Sequence, residues 1–429
     1  MKNLKLILII FSAFLTFSSC DDTETIENEV IITSILPTLV NVGDIITVNG
    51  KNFDTSQVYT ILFNGVEGTI SEITSTSFKV LVPEKSTSGD VVITYNGKTI
   101  HLGNITIINI FTGDAELLTQ EEVDTFGANN YTQIIGDLLI GDEYSTTKAS
   151  ILNVDALIHL TYISGDLGIY ENTNLTSISG LNNIVSVDGD LILSYNILLP
   201  NLNGLNSLTS VGDYFTLDTN RELLNIDSLS NLTSIGGVLG IYENESLTGI
   251  NGLSNLTSLG GLRIDNQYEF SNINSLSNIT SLTGNLRITG TNLTTLDGLT
   301  NITTIGGSLN IQQNDILTNV NGLSSLTSIG DIFSLFSNDV LSNLDGLSNL
   351  TTVVGRFYIT DHLALTNLDG LSNLASVGDV LDITDNSILT SFCGLNTLII
   401  DNSFNNTYIV NSNAYNPRKQ DIIDGNCSQ

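Results

Sequence analysis

Positive charge is scarce in this chain. Its 429 residues include 13 lysines and arginines against 45 aspartates and glutamates, which gives a formal net charge of −32 at pH 7. This balance argues against a nucleic-acid partner, because binding such a partner requires lysines and arginines that neutralise its phosphates. The sequence therefore predicts a protein that does not bind nucleic acid.

Catalytic motifs are also missing from the sequence. The three histidines are scattered at positions 101, 159 and 362, so there is no histidine pair with the spacing of a zinc site. There is no phosphate-binding glycine loop and no Ser-His-Asp arrangement with a supporting local context. We therefore predict that the protein is not an enzyme and uses neither a cofactor nor a metal ion.

The main apolar run is short and lies at the N-terminus. Lys2 and Lys5 come before an apolar run of about 12 residues at 6–17, which is too short to cross a bilayer as a helix. Small residues then lead directly to Cys20. The pattern is that of a targeting segment over residues 1–20.

This segment resembles a bacterial lipoprotein signal, in which the cysteine is lipidated and becomes the new N-terminus. The resemblance implies that residues 1–20 are a signal peptide and that Cys20 anchors the protein to a membrane. Ordinary secretory cleavage with a free Cys20 is the alternative. Residues 21–29 form an acidic tether with too little apolar content to fold. This acidic run is similar to that of surface-exported lipoproteins of the Bacteroidetes group, which implies the bacterial outer membrane and exposure to the cell exterior.

Two further cysteines lie close to the C-terminus, at Cys393 and Cys427. An even pair of cysteines in an exported chain favours a disulfide. Two unpaired thiols are the alternative.

Residues 30–110 have the pattern of a small β-sandwich. Short runs that alternate apolar and polar residues occur at 45–48, 59–63, 78–82 and 91–95. Asn-Gly dipeptides, which favour tight hairpin turns, occur at 49–50, 64–65 and 96–97. Strands at this spacing over about 80 residues predict two packed antiparallel layers.

This segment resembles an IPT/TIG immunoglobulin-like domain. The resemblance rests on Pro37, Gly43, Val48, Gly50, Asn52, Phe53, Phe63, Asn64, Gly65, Val82, Pro83, Gly89, Asp90 and Val91. In surface lipoproteins such domains commonly act as spacers, and the resemblance implies that role here.

A junction with a cap helix is predicted at residues 111–133. Thr119 and Glu122 have the spacing of a capping box, and Gly127 can end the helix. We expect one short helix at about 120–126 that covers the open first coil of the following region. A terminal coil needs such a cap because its apolar edge has no neighbour.

A repeat of 23–24 residues fills residues 134–400. Its register is marked by Leu157, Leu181, Leu205, Leu229, Leu253, Leu276, Leu299, Leu323, Leu347, Leu371 and Leu395. A fixed period of this length is typical of stacked coils that bury their apolar sides against each other. Within a coil, Leu309 and Ile311 are two residues apart, so both point inward from a strand. We predict an all-β protein with a right-handed parallel β-solenoid of about eleven leucine-rich-like coils. Residues 401–429 are predicted as a C-terminal cap, with Pro417 at the first position of a short helix.

A second periodic signal is an asparagine five residues after the leucine of the Leu-x-Ile strand. It occurs at Asn172, Asn196, Asn220, Asn244, Asn314, Asn338 and Asn386, with Gln267, Thr291 and His362 in the same slot of other coils. Such asparagines satisfy backbone groups of their own and neighbouring coils, so we predict a structural ladder. The repeat at 251–261, 321–331 and 345–355 resembles the receptor L-domain type of leucine-rich solenoid, which implies a binding role by analogy.

Candidate ligand-binding residues are sought at outward positions of the Leu-x-Ile strands. Arg263 and Arg287 are expected about 5 Å apart in neighbouring coils, with Asp265 beside Arg263. They predict either an anion- or sugar-binding spot or a surface ion-pair cluster. The outward aromatic residues Tyr170, Tyr242, Phe336 and Tyr358 complete the candidate ligand face, with ordinary surface filling as the alternative.

Together these patterns predict a lipid-anchored, non-enzymatic protein of the cell surface that binds a glycan or protein through its solenoid. One alternative is a structural envelope protein without a specific ligand. Another is a polysaccharide-active β-helix enzyme, which would need basic residues to neutralise a uronate and to act as a base.

Overall fold

The computed structural model describes residues 29–142, 151–401 and 404–429. The chain is mostly β-structure, with an N-terminal sandwich followed by a long sheet of parallel strands. The predicted fold class is thus confirmed. Cys20 and the predicted signal peptide lie outside the described residues. None of the helices in the described parts is long and apolar enough to cross a membrane.

The N-terminal unit has eight strands joined mainly in antiparallel pairs. These are β1 (Ile31–Leu36), β2 (Leu39–Asn41), β3 (Ile45–Lys51), β4 (Thr60–Phe63), β5 (Val66–Ile73), β6 (Ser77–Leu81), β7 (Gly89–Tyr95) and β8 (Lys98–Ile108). β3 pairs with β1 and β6, β4 pairs with β5 and β7, and β2 lies parallel to β8. Alternate residues such as Val48, Ile61 and Phe78 are fully buried between the layers.

Two of the three predicted Asn-Gly turns are present. Asn64-Gly65 and Asn96-Gly97 join β4 to β5 and β7 to β8, and all four residues have positive φ. The third prediction was wrong, because Asn49 and Gly50 lie inside β3. A β-carbon on Gly50 would come within 2.4 Å of the Phe53 ring, so this glycine makes room for an aromatic side chain.

The second unit begins at residue 110 and continues to residue 411. Its strands are β9 (Ile110–Thr112), β10 (Ala115–Leu117), β11 (Gln133–Ile135), β12 (Leu138–Gly141), β13 (Tyr162–Ile163), β14 (Leu167–Tyr170), β15 (Ser186–Val187), β16 (Leu191–Ser194), β17 (Ser210–Val211), β18 (Phe215–Asp218), β19 (Ser234–Tyr242), β20 (Ser258–Gln267), β21 (Ser281–Leu282), β22 (Leu286–Thr291), β23 (Thr304–Ile305), β24 (Leu309–Gln312), β25 (Ser328–Ile329), β26 (Phe333–Phe336), β27 (Thr352–Val353), β28 (Phe357–Thr360), β29 (Ser376–Val377), β30 (Val380–Thr384) and β31 (Thr407–Asn411). The Leu-x-Ile strands of successive coils pair in parallel.

All the register leucines except Leu205 lie in short 3₁₀ helices. Ten short 3₁₀ helices occupy Asp155–Leu157, Ser179–Leu181, Asp227–Asn231, Asn251–Leu253, Asn274–Asn278, Asp297–Leu299, Asn321–Leu323, Asp345–Leu347, Asp369–Leu371 and Cys393–Leu395 in the described chain. A short π-helix follows at Thr397–Asp401. The leucines are buried in one continuous core that runs the length of the stack. Leu296, Leu299 and Ile302 follow one another at intervals of three residues, which is the period of such a 3₁₀ turn.

The parallel sheet extends past both predicted solenoid limits, 134 and 400. β9 and β10 pair in parallel with β11 and β12, and β31 pairs in parallel with β30. These end strands lack the register leucine, so the repeat signal could not include them. An end coil packs against only one neighbouring coil, so its sequence need not follow the repeat as closely as that of an internal coil.

Each end of the solenoid carries a short helix. Helix α1 (Gln120–Gly127) has the predicted capping box between Thr119 and Glu122, and its Val123 is fully buried. Helix α2 (Lys419–Ile423) begins after Arg418, so Pro417 lies outside it and not at the predicted first position. The Asp421 carboxylate accepts the Arg418 backbone N–H, and this bond sets the start of the helix.

Candidate functional site

The asparagine ladder lies inside the solenoid and holds successive coils together. Asn196 donates through Nδ2 to the carbonyl oxygen of Ile169 at 2.9 Å, and its own backbone N–H donates to Asn220 Oδ1 at 3.0 Å. The seven predicted ladder asparagines, Asn172, Asn196, Asn220, Asn244, Asn314, Asn338 and Asn386, are all buried. Burial and backbone hydrogen bonding give them a structural role rather than a role in ligand binding.

The other side chains in this slot are buried as well. His362 is fully buried, and its Nδ1 accepts the backbone N–H of Asn338 at 3.3 Å. Burial lowers the pKa of His362, which keeps the imidazole neutral at pH 7. Thr291 donates its hydroxyl to Asn314 Oδ1 at 2.7 Å, and Gln267 is enclosed in the same column.

Sequence reasoning missed two parts of this hydrogen-bonding system. Asn413 adds a further rung, donating to the Ile383 carbonyl at 2.8 Å, but it follows Asn386 by 27 residues and so breaks the period. A second row of asparagines donates to backbone carbonyls of the preceding coil, at Asn183, Asn231, Asn255, Asn278, Asn301, Asn349 and Asn373. Five of the seven, Asn231, Asn255, Asn278, Asn301 and Asn349, lie in an Asn-x-Thr pattern, and this recurrence was the signal that could have revealed the row.

Arg263, Asp265 and Arg287 meet on the outer side of the Leu-x-Ile sheet. Arg263 Nε donates to one oxygen of Asp265 at 2.6 Å, and Arg287 Nε donates to the other at 2.9 Å. Arg263 and Arg287 are directly paired residues on β20 and β22. The Asp265 side chain is 10% exposed, whereas the side chains of Arg263 and Arg287 are 49% and 35% exposed. The buried carboxylate therefore orients two accessible guanidinium groups.

Tyr242 joins this cluster from the preceding strand. The guanidinium carbon of Arg263 lies 5.1 Å from the centre of the Tyr242 ring, which is the range of a cation–π contact. The ring in turn lies across Gly240, where a β-carbon would come within 2.6 Å of it. Burial raises the pKa of Tyr242, and the hydrogen bond to Asp265 raises the pKa of Arg263. The phenol therefore stays neutral and the guanidinium stays charged at physiological pH.

These side chains border a depression in the outer face of the sheet. We call it the face groove, and it is lined by Tyr214, Thr216, Val238, Gly240, Tyr242, Leu262, Arg263, Asn285, Arg287 and Asn310. Its volume is about 290 Å³. The lining contains two arginines and no carboxylate, although the chain as a whole is strongly acidic. The groove is thus suited to an anionic group beside neutral hydrogen-bonding groups.

The remaining candidate aromatic residues do not line the groove. Tyr170 was expected to be exposed, but only 8% of it is accessible because its ring folds over Gly168. Phe336 is 36% exposed on β26, and Tyr358 is partly exposed on the neighbouring β28. The structure therefore unites four of the seven candidate face residues in one cluster and leaves these three outside it.

Cys393 and Cys427 are joined in a disulfide, with their Cα atoms 4.9 Å apart. The backbone N–H of Phe392 also donates to the Cys427 carbonyl at 2.8 Å. The bond ties the C-terminal segment to the last coil. In the described parts of the chain, no group of three or more histidine, cysteine or acidic side chains is placed to hold a metal ion.

Comparison with known proteins identifies a family for the N-terminal unit. No curated protein matches the chain. Residues 31–107 match the model of the IPT/TIG domain family, in agreement with the resemblance noted from Phe63, Asn64, Gly65 and their neighbours. The N-terminal unit is therefore an IPT/TIG domain in sequence and in fold.

Proposed function

We propose that this is a non-enzymatic binding or adhesion protein of the bacterial cell surface, and that its solenoid binds a glycan or protein ligand at the face groove. The observation that carries the proposal is the pair of accessible guanidinium groups of Arg263 and Arg287, oriented by the buried Asp265. Holding two charged side chains in place before a ligand arrives lowers the entropy cost of binding.

The IPT/TIG domain supports a non-catalytic role. An immunoglobulin-like domain of this kind is in keeping with binding or adhesion, and it lies before the solenoid in the chain. In our proposal it is a spacer that holds the solenoid away from the membrane, and the lipid on Cys20 anchors the whole. The partners are then the membrane, through the lipid, and one extracellular ligand.

The two alternatives make different predictions. A polysaccharide-active enzyme needs a positioned acid or base. The residues that line the face groove include neither a carboxylate nor a histidine, and burial raises the pKa of the Tyr242 phenol, which makes that phenol a poor base at neutral pH. A structural envelope protein needs no ligand and should bind none. The clustering of two of the few solenoid arginines at one groove favours a binding protein over both.

A binding screen with a blocked groove tests the proposal. Thr216 lines the groove and is partly exposed, so Thr216→Trp should fill it without disturbing the core. Thr360→Trp is the matched control, because Thr360 is also partly exposed on the same sheet but lies six strands further along it. We expect the full chain to retain at least one ligand from a panel of surface glycans and proteins. Thr216→Trp should weaken that binding at least tenfold, and Thr360→Trp should not.

A chain that binds nothing in the panel would support the structural alternative. Equal binding by the two tryptophan variants and the parent would place the binding site elsewhere on the molecule.

The lipid anchor has its own test. Cys20→Ala removes the proposed attachment point, so the variant should move from the membrane fraction to the soluble fraction when cells are fractionated. Binding measured on the purified chain should be unaffected, which separates anchoring from ligand recognition. If the variant stays in the membrane fraction as the parent does, the anchor lies elsewhere.

A further inference from the structure

We propose that the face groove binds a sugar ring that carries a carboxylate, such as a uronic acid residue of a glycan. The inference rests on the proposed function, because it names the ligand class of the same groove. It follows from three features of the groove: its local charge, its unused hydrogen-bond donors and its size.

The groove is a site of positive charge on an acidic protein. Residues 134–400 contain only five basic side chains, Lys148, Arg221, Arg263, Arg287 and Arg356. Two of them line this groove, and no acidic side chain lines it with them. The two arginines therefore attract an anionic group of a ligand to this groove on an otherwise acidic surface. The charge pattern favours a ligand that places a carboxylate beside them.

Arg263 and Arg287 have hydrogen-bond donors that the protein does not use. Each uses its Nε to bind Asp265, and within the described chain the terminal guanidinium nitrogens make no hydrogen bond to protein. A guanidinium group presents its donors in a planar fork that matches the two oxygens of a carboxylate. Because Asp265 is almost fully buried, it positions the arginines without competing at the surface for the ligand.

The rest of the groove fits a hydroxylated ring. Its volume of about 290 Å³ is at the small end for ligand sites, which suits one ring better than a folded peptide segment. Thr216, Asn285 and Asn310 supply neutral donors and acceptors for ring hydroxyls. Tyr214 is 48% exposed at the margin and can pack against a ring face. An acidic peptide supplies carboxylates but not this combination of ring and hydroxyls.

The experiment is titration calorimetry of the full chain with four probes: an oligogalacturonate, its methyl ester, a neutral oligosaccharide of equal length and an oligoglutamate peptide. We expect the oligogalacturonate to bind at least tenfold more tightly than the other three. Raising the salt concentration should weaken that binding, because it screens the charge interaction.

Protein variants locate the effect. Arg263→Gln, Asp265→Asn and Arg287→Gln combined remove all three charges, so no buried charge is left unpaired. This triple variant should lose at least tenfold in affinity for oligogalacturonate. Arg356→Gln with Asp379→Asn is the matched control, because it removes another solenoid ion pair outside the groove and should change nothing. The methyl ester provides the same test from the ligand side and does not depend on how the variants fold.

Each other outcome overturns the inference. Failure of oligogalacturonate to bind, or binding that survives the triple variant, removes the acidic sugar from this groove. Tighter binding of the oligoglutamate peptide would make the ligand a protein. A neutral oligosaccharide that binds as tightly and is lost in Thr216→Trp would contradict the carboxylate requirement, yet it would leave the proposed glycan- or protein-binding function intact.

Discussion

Asn220→Ala is expected to destabilise the solenoid by about 3–5 kcal/mol, because a buried donor and acceptor would be lost between coils. Asn220 is fully buried. It donates to the Leu193 carbonyl at 2.9 Å and accepts the backbone N–H of Asn196 at 3.0 Å. Alanine removes these bonds, and those to the side chains of Asn196 and Asn244, where water cannot replace them, and it leaves a small cavity. Urea unfolding followed by circular dichroism measures the loss.

Asn255→Ala is the control for this experiment. Asn255 belongs to the second, exposed asparagine row and donates to the Ser230 carbonyl at 2.7 Å. Because water can replace that bond, its loss should cost less than about 1 kcal/mol. Equal destabilisation by the two substitutions would show that the buried column has no special part in holding the coils together.

Cys427→Ser is expected to lower stability by about 3–4 kcal/mol and to unravel the C-terminal coils first. The disulfide to Cys393 closes a loop with a sequence separation of 34. Without the disulfide the unfolded chain gains conformational entropy, and for a loop of this length the gain corresponds to about 3–4 kcal/mol of lost stability. The last coil has a neighbour on one side only, so it is where opening should begin. Hydrogen exchange should accelerate most in β30 and β31 and least in the central strands.

The reduced parent protein provides the matched control. Adding a reductant should bring the parent to the stability of Cys427→Ser, and the variant itself should not respond. Mass spectrometry of the unreduced protein checks the premise, and free thiols at both Cys393 and Cys427 would contradict it. A uniform rise in exchange along the whole solenoid would show that the cap does not act locally.

The periodic features of this chain could be predicted from its sequence. Inward residues such as Leu309 and the ladder side chain Asn314 recur because every coil must fill the same core and satisfy the same backbone groups. Because these requirements are the same in every coil, the residues that meet them recur at a fixed spacing in the sequence. Departures from the period were correspondingly difficult to detect, as with Asn413, which fills the last rung 27 residues after Asn386.

The solvent exposure of a side chain was harder to predict than the position of its residue on a strand. Tyr170 is at an outward position, but its long side chain folds back over Gly168 and becomes buried. Alternation along a strand indicates which way a Cβ points and does not indicate where a flexible aromatic ring comes to rest. The wrong prediction at Gly50 has the same cause. The Asn-Gly dipeptide resembled a turn, but the sequence does not show that the Phe53 ring lies against this glycine.

The candidate site was only partly visible in the sequence. Arg263 and Arg287 could be placed side by side because their strands repeat at a known spacing. The contributions of Tyr214, Gly240 and Asn310 were missed. Outward positions differ from coil to coil, so no periodic signal identifies them, and a groove formed by several strands becomes apparent only when the strands are stacked.

A crystal structure of the full chain with bound oligogalacturonate tests the central claim most directly, since it shows where the ligand lies. We expect a sugar ring in the face groove beside Tyr214, with its carboxylate within about 3 Å of the terminal nitrogens of Arg263 and Arg287. An ordered sugar on the IPT/TIG domain or on a corner turn of the solenoid, with the face groove empty, would contradict the account.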